Sequence, residues 1–118
     1  MAKAAIVVLS DMERREGLGR VLNALEAVKE LKEGGDEVEM IFDGAGTTSA
    51  VAIACSDHDL HRLYTLVQDR ITGVCRYCAR AYGVFEEAEK AGFTLLAEYD
   101  QHPSMRRLLQ DGNEVITF

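Results

Sequence analysis

Short apolar runs alternate along the chain with longer segments in which hydrophobic residues recur at helical spacing. Ala4 to Leu9 is a continuous run rich in Ile and Val, which is typical of a strand buried on both faces of a parallel sheet. From Glu13 to Glu33, apolar residues return every three or four positions and charged residues occupy the other side. This pattern predicts an amphipathic helix that ends at Gly34-Gly35, and Glu37 to Phe42 predicts a second strand.

The middle of the chain begins with a flexible loop of small residues over Gly44 to Ser49. Ala50 to Cys55 predicts a helix, although its alternating apolar residues also fit a short strand. A further helix is expected to start at Ser56, because a serine hydroxyl can cap exposed N–H groups, with Asp59 in its first turn. The buried stripe of that helix is expected to consist of Leu60, Leu63, Tyr64, Val67 and Ile71.

The last third of the chain repeats the alternation. Thr72 to Cys75 predicts the end of a third strand, and Phe93 to Ala97 and Glu114 to Phe118 predict two more. Helical segments are predicted at Arg76–Tyr82, at Phe85–Ala91 and after Pro103. Strands that alternate with helices across short loops need crossover connections, which are typical of parallel sheets. We therefore predict one α/β domain over residues 1–118, a flavodoxin-like (Rossmann-like) three-layer sandwich with a mostly parallel sheet of about five strands.

Composition excludes several functions. The 118 residues are 47% hydrophobic and 28% charged, and 20 acidic residues against 13 basic ones give a formal net charge of −7. That charge argues against non-specific binding to nucleic acid or anionic lipid, and no apolar run is long enough to span a membrane. A disulfide framework is not expected, since three cysteines cannot all pair. The expectation is a cytoplasmic protein with no nucleic-acid partner and no membrane partner.

Three segments of polar or small residues follow predicted strands: Ser10-Asp11, the Gly44–Ser49 loop, and Cys75 to Cys78. Ligands of open parallel sheets bind outside the carboxyl ends of the strands, so we expect these segments to meet at one edge. Within the loop, Gly44, Gly46 and Thr47 offer N–H groups and a hydroxyl, which makes them candidate anion-binding residues. A simple tight turn is the alternative interpretation of the same residues.

The most specific motif is the CxxC pair formed by Cys75 and Cys78. Cys75 is expected at the end of a strand and Cys78 in the first helical turn, where free N–H groups would lower a thiol pKa. Arg76 and Arg80 lie in a window, residues 70–85, that contains no acidic residue, so they are candidates to hold an anionic sulfur. Buried structural cysteines are the alternative.

The histidines add one candidate to this edge. His102 precedes Pro103 near the end of the fourth strand, so it is placed to approach the thiols as a base. A structural zinc site is not expected, because His58 and His61 are the only candidates for its second ligand pair. Those two are assigned to a solvated helix start, and Cys55 to packing. No cofactor fingerprint is present, so no cofactor and no metal is predicted.

Three stretches, GAGT after the second strand, GVCRYCARAYGV in the middle and HPSMRRLLQDGNEVITF at the end, resemble the DsrE/DsrF-like family. The resemblance covers nearly the whole chain in element order, but only the central stretch is chemically specific. It implies a homo-oligomer and, in some members, sulfur transfer through a cysteine persulfide. The family's persulfide cysteine stands eight residues before a glycine, and Cys75 matches because Gly83 is eight residues later. Cys78 has no fixed counterpart in that pattern.

The residues and the resemblance together give three hypotheses. The first is a sulfur-carrier or sulfurtransferase protein in which Cys75 accepts sulfur, Cys78 assists, and other proteins act as sulfur donor and acceptor. The second is a non-catalytic oligomeric binding or assembly module with structural cysteines. The third is a redox switch that closes a disulfide between Cys75 and Cys78. The accessibility and reactivity of the thiols distinguish the three.

Overall fold

Five parallel strands form one central sheet in the computed structural model, which describes all 118 residues. The strands are β1 (Lys3–Val8), β2 (Glu37–Phe42), β3 (Ile71–Cys75), β4 (Leu95–Leu96) and β5 (Glu114–Thr117), in the spatial order β4-β3-β2-β1-β5. The helices are α1 (Arg15–Glu33), α2 (Gly46–Ile53), α3 (His61–Val67), α4 (Arg76–Ala81), α5 (Phe85–Lys90) and α6 (Met105–Gln110). A 3-10 turn at Gln68–Arg70 follows α3. The predicted three-layer α/β sandwich is confirmed.

The two faces of the sheet carry unequal layers. On one face, Ala4, Ile6 and Val8 of β1 belong to a core of 17 buried residues that includes side chains of α1 to α5. The intervening Ala5 and Val7 belong to a smaller cluster of five on the other face, to which α6 contributes. Burial of a large aliphatic side chain stabilises the fold by about 1.5–3 kcal/mol, so most of the hydrophobic free energy lies on the first face.

The strand β4 is shorter than the sequence predicts. Only Leu95 and Leu96 pair with β3, whereas the apolar pattern predicts a strand from Phe93 to Ala97. The two chain segments approach closely at Gly73, where a Cβ atom would clash with the carbonyl oxygen of Thr94. That same carbonyl accepts a hydrogen bond from the Val74 N–H at 2.9 Å. Glycine at position 73 therefore lets the β4 segment dock against β3.

The helix that follows α2 begins later than expected. The sequence predicts Ser56 as its cap, but α3 begins at His61, its preceding residue is Leu60, and no side chain caps it. Nδ1 of His58 instead accepts a hydrogen bond from the Leu60 N–H at 3.0 Å and closes a turn. Ile71, expected on the buried stripe of that helix, opens β3, because the 3-10 turn has already ended the helix.

Ala50 to Ile53 is helical, as predicted, but α2 begins at Gly46, so the loop predicted over Gly44 to Ser49 is wrong for its last four residues. The helix α2 ends at Ile53, and the chain then turns away from the core. Cys55 consequently lies exposed, so its predicted packing role is wrong. None of the six helices combines the length and apolar character that a membrane span requires.

The side chain of Arg107 anchors α6 to the sheet. Its guanidinium lies 3.3 Å from Glu39 of β2, 2.6 Å from Glu98 and 3.2 Å from Asp111. Burial lowers the pKa of Arg107, but the hydrogen bonds and charges of Glu39 and Glu98 outweigh burial and raise it above its ordinary value. The helix is thereby held against the sheet, together with the segment before it, which carries His102.

Candidate functional site

The connections at the carboxyl edge of the sheet change direction between β3 and β4. The chain leaves β3 into α4, on the face of the larger core, and passes from β4 to α6, on the opposite face. Ligands of open α/β sheets bind where neighbouring strands send their connections to opposite sides. Cys75 is the last residue of β3, and His102 lies in the connection after β4, so both stand at this position.

Four side chains meet there: Asp43, Cys75, Cys78 and His102, which we call the edge cluster. One sulfur, nitrogen or oxygen atom from each lies within 4.8 Å of the others. Sγ of Cys75 is 3.2 Å from Nδ1 of His102, and the Cys78 thiol donates to Oδ1 of Asp43 at 3.4 Å. The predicted approach of His102 to the thiols is therefore present in the structure.

Cys75 stands at the start of α4, as the sequence predicts. Its sulfur accepts a hydrogen bond from the Cys78 N–H at 3.3 Å, which favours the thiolate. Burial nevertheless raises the pKa of the Cys75 thiol to about 12, and the nearby Asp43 and Cys78 add to the rise. The predicted lowering of this thiol pKa is wrong, because loss of water around the sulfur outweighs one N–H bond.

The two thiols differ in their access to solvent. Cys75 has no exposed surface, whereas Cys78 is partly exposed. A reagent in solution therefore meets Cys78 first, and Cys75 forms the inner half of the pair.

A strained turn presents His102 to Cys75. Tyr99 and His102 exchange two backbone hydrogen bonds, of 2.9 and 2.7 Å, across Asp100 and Gln101. Both central residues have positive φ, 46° at Asp100 and 67° at Gln101. Glycine, asparagine and aspartate are preferred in such a conformation, so the cost of roughly 1–2 kcal/mol falls on Gln101. Strain of this kind concentrates at functional sites.

The same turn is attached to the start of α4. The carbonyl oxygen of Gln101 accepts a hydrogen bond from the Tyr77 N–H at 3.0 Å. The Tyr77 ring lies against the His102 imidazole, with 4.8 Å between ring centroids. Tyr77 thus fixes both the turn and the histidine that the turn carries.

Asp43 is the member of the edge cluster that was not predicted from the sequence. It directly follows β2, and its N–H donates to the Val8 carbonyl at 2.9 Å. The N–H of Gly44 donates to Oδ1 of Asp43 at 2.8 Å and orients the carboxylate toward Cys78. An acidic residue at the carboxyl end of the strand beside β3 is the signal that could have identified it.

The structure places Arg76 and Arg80 beside an aromatic ring. Their guanidinium carbons lie 5.9 and 4.1 Å from the centroid of the Phe85 ring, and neither side chain hydrogen-bonds to a thiol. Such cation–π contacts contribute about 0.5–1 kcal/mol at exposed sites. Residues 70–85 contain no acidic residue, but the folded chain brings the carboxylate of Asp43 into contact with Cys78.

Of the three predicted anion-binding residues, Gly44 lies in the turn before α2, and Gly46 and Thr47 form the first turn of that helix. Gly46 and Thr47 are buried, and a Cβ atom on Gly46 would clash with the Val8 carbonyl. The Thr47 hydroxyl donates to the Gly44 carbonyl at 2.9 Å. The tight turn of the alternative interpretation is present only around Gly44, and the close approach of Gly46 to Val8 packs the start of α2 against the end of β1.

The remaining candidates lie outside the edge cluster. His61 contacts the Ile53 carbonyl through Nδ1 at 2.9 Å, and His58 closes the turn before α3. The largest surface depression lies beside Asp11, Arg14 and Arg20 and contains no member of the cluster. No member of the cluster lines this depression or four others on the surface, so the cluster suits a small ligand or a single reacting atom.

Comparisons with known proteins identify relatives and a fold. No protein-family model matches the chain. An uncharacterized protein of Methanocaldococcus jannaschii is 29% identical over 115 residues, which cover 97% of this chain and 93% of that protein. The structure of a conserved protein of unknown function from Bacteroides thetaiotaomicron has a TM-score of 0.64 at 14% identity and covers 97% of this chain and 94% of its own. This second similarity shows that the two chains share a fold.

Proposed function

We propose that the chain is a sulfur carrier, which holds sulfane sulfur as a persulfide on the Cys75–Cys78 pair. The observation that carries this proposal is the meeting of an inner thiol, an outer thiol and a histidine nitrogen within 4.8 Å at the carboxyl edge of the sheet. The resemblance of the central stretch to the DsrE/DsrF-like family points to the same chemistry, and membership of that family is part of the proposal.

Sulfur enters at Cys78, because Cys78 is the partly exposed member of the pair. The Cys78 sulfur attacks the outer sulfur of a donor persulfide, so that a Cys78 S–S bond forms as the donor S–S bond breaks. The donor leaves as a thiol after it receives the Cys78 proton, which Asp43 relays from 3.4 Å. No net oxidation or reduction takes place in this exchange.

The sulfur then moves inward to Cys75. The Cys75 thiol gives its proton to Nδ1 of His102, 3.2 Å away, and its sulfur attacks the outer sulfur of the Cys78 persulfide. The new S–S bond on Cys75 replaces the one on Cys78, and the proton returns to the Cys78 sulfur. Burial at Cys75 then protects the persulfide from solvent until the same steps run in reverse toward an acceptor thiol.

Intact-mass measurement after incubation with a sulfane donor tests the proposal. We expect wild type and Cys55→Ser to gain one sulfur atom, Cys78→Ser to gain it far more slowly, and Cys75→Ser to hold it only at Cys78. No added sulfur on wild type, or equal addition to a variant that lacks both Cys75 and Cys78, would overturn it. Equal addition to the variant that lacks both cysteines would favour a structural role for Cys75 and Cys78.

The proposal includes a homo-oligomer, protein donors and acceptors of sulfur, and a cytoplasmic location. The edge strand β5 supports the first of these, because Ile116 on it is 43% exposed. Native mass spectrometry of the purified chain measures the oligomer directly, and a monomer at micromolar concentration would overturn that part.

A further inference from the structure

The four donors of the edge cluster match the ligand set of a zinc ion. Zinc in proteins takes four ligands from cysteine sulfur, histidine nitrogen and carboxylate oxygen. We propose that Asp43, Cys75, Cys78 and His102 form a zinc site with one ligand atom each. Two sulfurs and one nitrogen exclude magnesium and calcium, which select oxygen ligands. The inference does not depend on sulfur transfer, because it uses only the four donor atoms.

The separations within the cluster suit tetrahedral zinc. Bonds of about 2.0–2.3 Å place neighbouring ligand atoms about 3.3–3.8 Å apart. The contact of Cys75 with His102, at 3.2 Å, and that of Cys78 with Asp43, at 3.4 Å, are close to that range. Every other pair lies within 4.8 Å, so side-chain shifts of about 1 Å or less bring all four atoms onto one ion.

Contacts around the cluster orient its members in the way that outer contacts orient metal ligands. The Gly44 N–H holds Oδ1 of Asp43 at 2.8 Å, and the Cys78 N–H donates to the Cys75 sulfur at 3.3 Å. The Tyr77 ring holds the His102 imidazole from one side. These contacts are already formed, so the ligands lose little conformational freedom when the ion binds.

The ligands come from the ends of three neighbouring strands. Asp43 follows β2, Cys75 ends β3, and His102 lies in the connection after β4. Asp43 and His102 form the second ligand pair of this site, in place of the sequence candidates His58 and His61. An ion here ties three strand ends together and occupies both thiols, so it competes with any reaction at sulfur.

Metal titration of the reduced, chelator-treated chain tests the site. With Co²⁺ as the probe, we expect one equivalent to bind and to produce thiolate-to-cobalt charge-transfer absorption, which Zn²⁺ then displaces. Zinc affinity, measured against a chromophoric chelator, should fall at least about tenfold in Cys78→Ser, His102→Gln and Asp43→Asn. Matched controls outside the cluster, Cys55→Ser, His58→Gln and Asp57→Asn, should bind as wild type does.

A second measurement guards against variants that fail to fold. At the same excess of Zn²⁺, the Tm of wild type and of Cys55→Ser should rise more than that of folded His102→Gln, because a tenfold weaker affinity lowers the stabilisation that the ion gives. No charge-transfer absorption, or equal zinc affinity in cluster and control variants, would overturn the inference. Persulfide formation without zinc binding overturns the zinc site and leaves the sulfur carrier, whereas zinc binding without persulfide formation does the reverse.

Discussion

Sγ of Cys75 lies 3.2 Å from Nδ1 of His102, although 27 residues separate them in the chain. Two features produce this contact. Parallel pairing of β3 with β4 brings the ends of both strands to one edge, and the turn at Asp100 and Gln101 directs the histidine back over the thiol. This contact places a ring nitrogen beside a fully buried thiol, which is the geometry that the proposed proton transfer from Cys75 to His102 requires.

Alkylation should follow the exposure of the three thiols. We expect iodoacetamide to modify Cys55 and Cys78 under native conditions and to modify Cys75 only in denaturant, because the Cys75 sulfur is buried. Mass-spectrometric peptide mapping over time measures all three sites in one sample, with Cys55 as the internal reference. Native modification of Cys75 as fast as that of Cys55 would contradict the described burial.

Gln101→Gly should stabilise the protein. Gln101 has a φ of 67°, which glycine adopts without the cost that a Cβ atom imposes, so we expect a gain of about 0.5–1 kcal/mol in the free energy of unfolding. Urea denaturation measures it. Gln101→Ala retains the Cβ atom and is the matched control, with little or no gain expected. Equal stabilisation by alanine and glycine would show that the turn is not strained.

Gly73→Ala should destabilise the protein by about 2 kcal/mol or more, since the new Cβ atom meets the Thr94 carbonyl and forces β4 away from β3. Persulfide formation should fall with it, because the β4 segment carries His102. Gly19→Ala is the control: Gly19 lies within α1 with nothing near its Cβ position, and alanine there should add about 0.5–1 kcal/mol. Urea denaturation should show a lower free energy of unfolding for Gly73→Ala and a higher one for Gly19→Ala.

The ion pair between Lys32 and Asp69 should make the free energy of unfolding depend on pH in the acidic range. Lys32 hydrogen-bonds to Asp69 at 2.6 Å and holds the pKa of that carboxyl below its usual value of 3.8. The resulting stability is present above pH 3.8 and is lost as the pH falls through the lowered folded-state value.

Lys32→Met should therefore lose less stability between neutral and acidic pH than wild type does. The difference should stay below about 1 kcal/mol, because the pair is exposed. Urea denaturation at both pH values measures it, and Lys90→Met, which removes an exposed lysine from α5, is the control. An identical loss in wild type and Lys32→Met would contradict a role for this pair.

The fold follows from the sequence wherever a local pattern determines the structure. The bounds of β2 are predicted correctly, because Gly34-Gly35 lie before the short segment EVEMIF and Asp43-Gly44 end it. The length of β4 depends instead on how closely Thr94 approaches Gly73, which no local pattern records. The late start of α3 likewise depends on a turn closed by the His58 ring.

The site could be predicted only in part, because some of its contacts depend on how distant strands are aligned. Cys75, Cys78 and His102 are recognisable because strand ends and residue chemistry mark them. Asp43 lies 35 residues before Cys78, and only the alignment of β2 beside β3 brings the two together. The thiol pKa is misjudged for the same cause, since a window of sequence contains neither the burial of Cys75 nor the charge of Asp43.

The edge cluster is completed late in synthesis, because its members follow or end three different strands. Asp43 and both cysteines leave the ribosome well before His102, and contacts between distant residues form late because loop closure costs entropy. A nascent chain that ends before residue 102 has two thiols and no histidine beside them. We therefore expect the complete cluster, with His102 beside Cys75, to form only after the β4 segment has docked against β3, so that the proposed inward transfer of sulfur and the proposed four-ligand zinc site both await this late step.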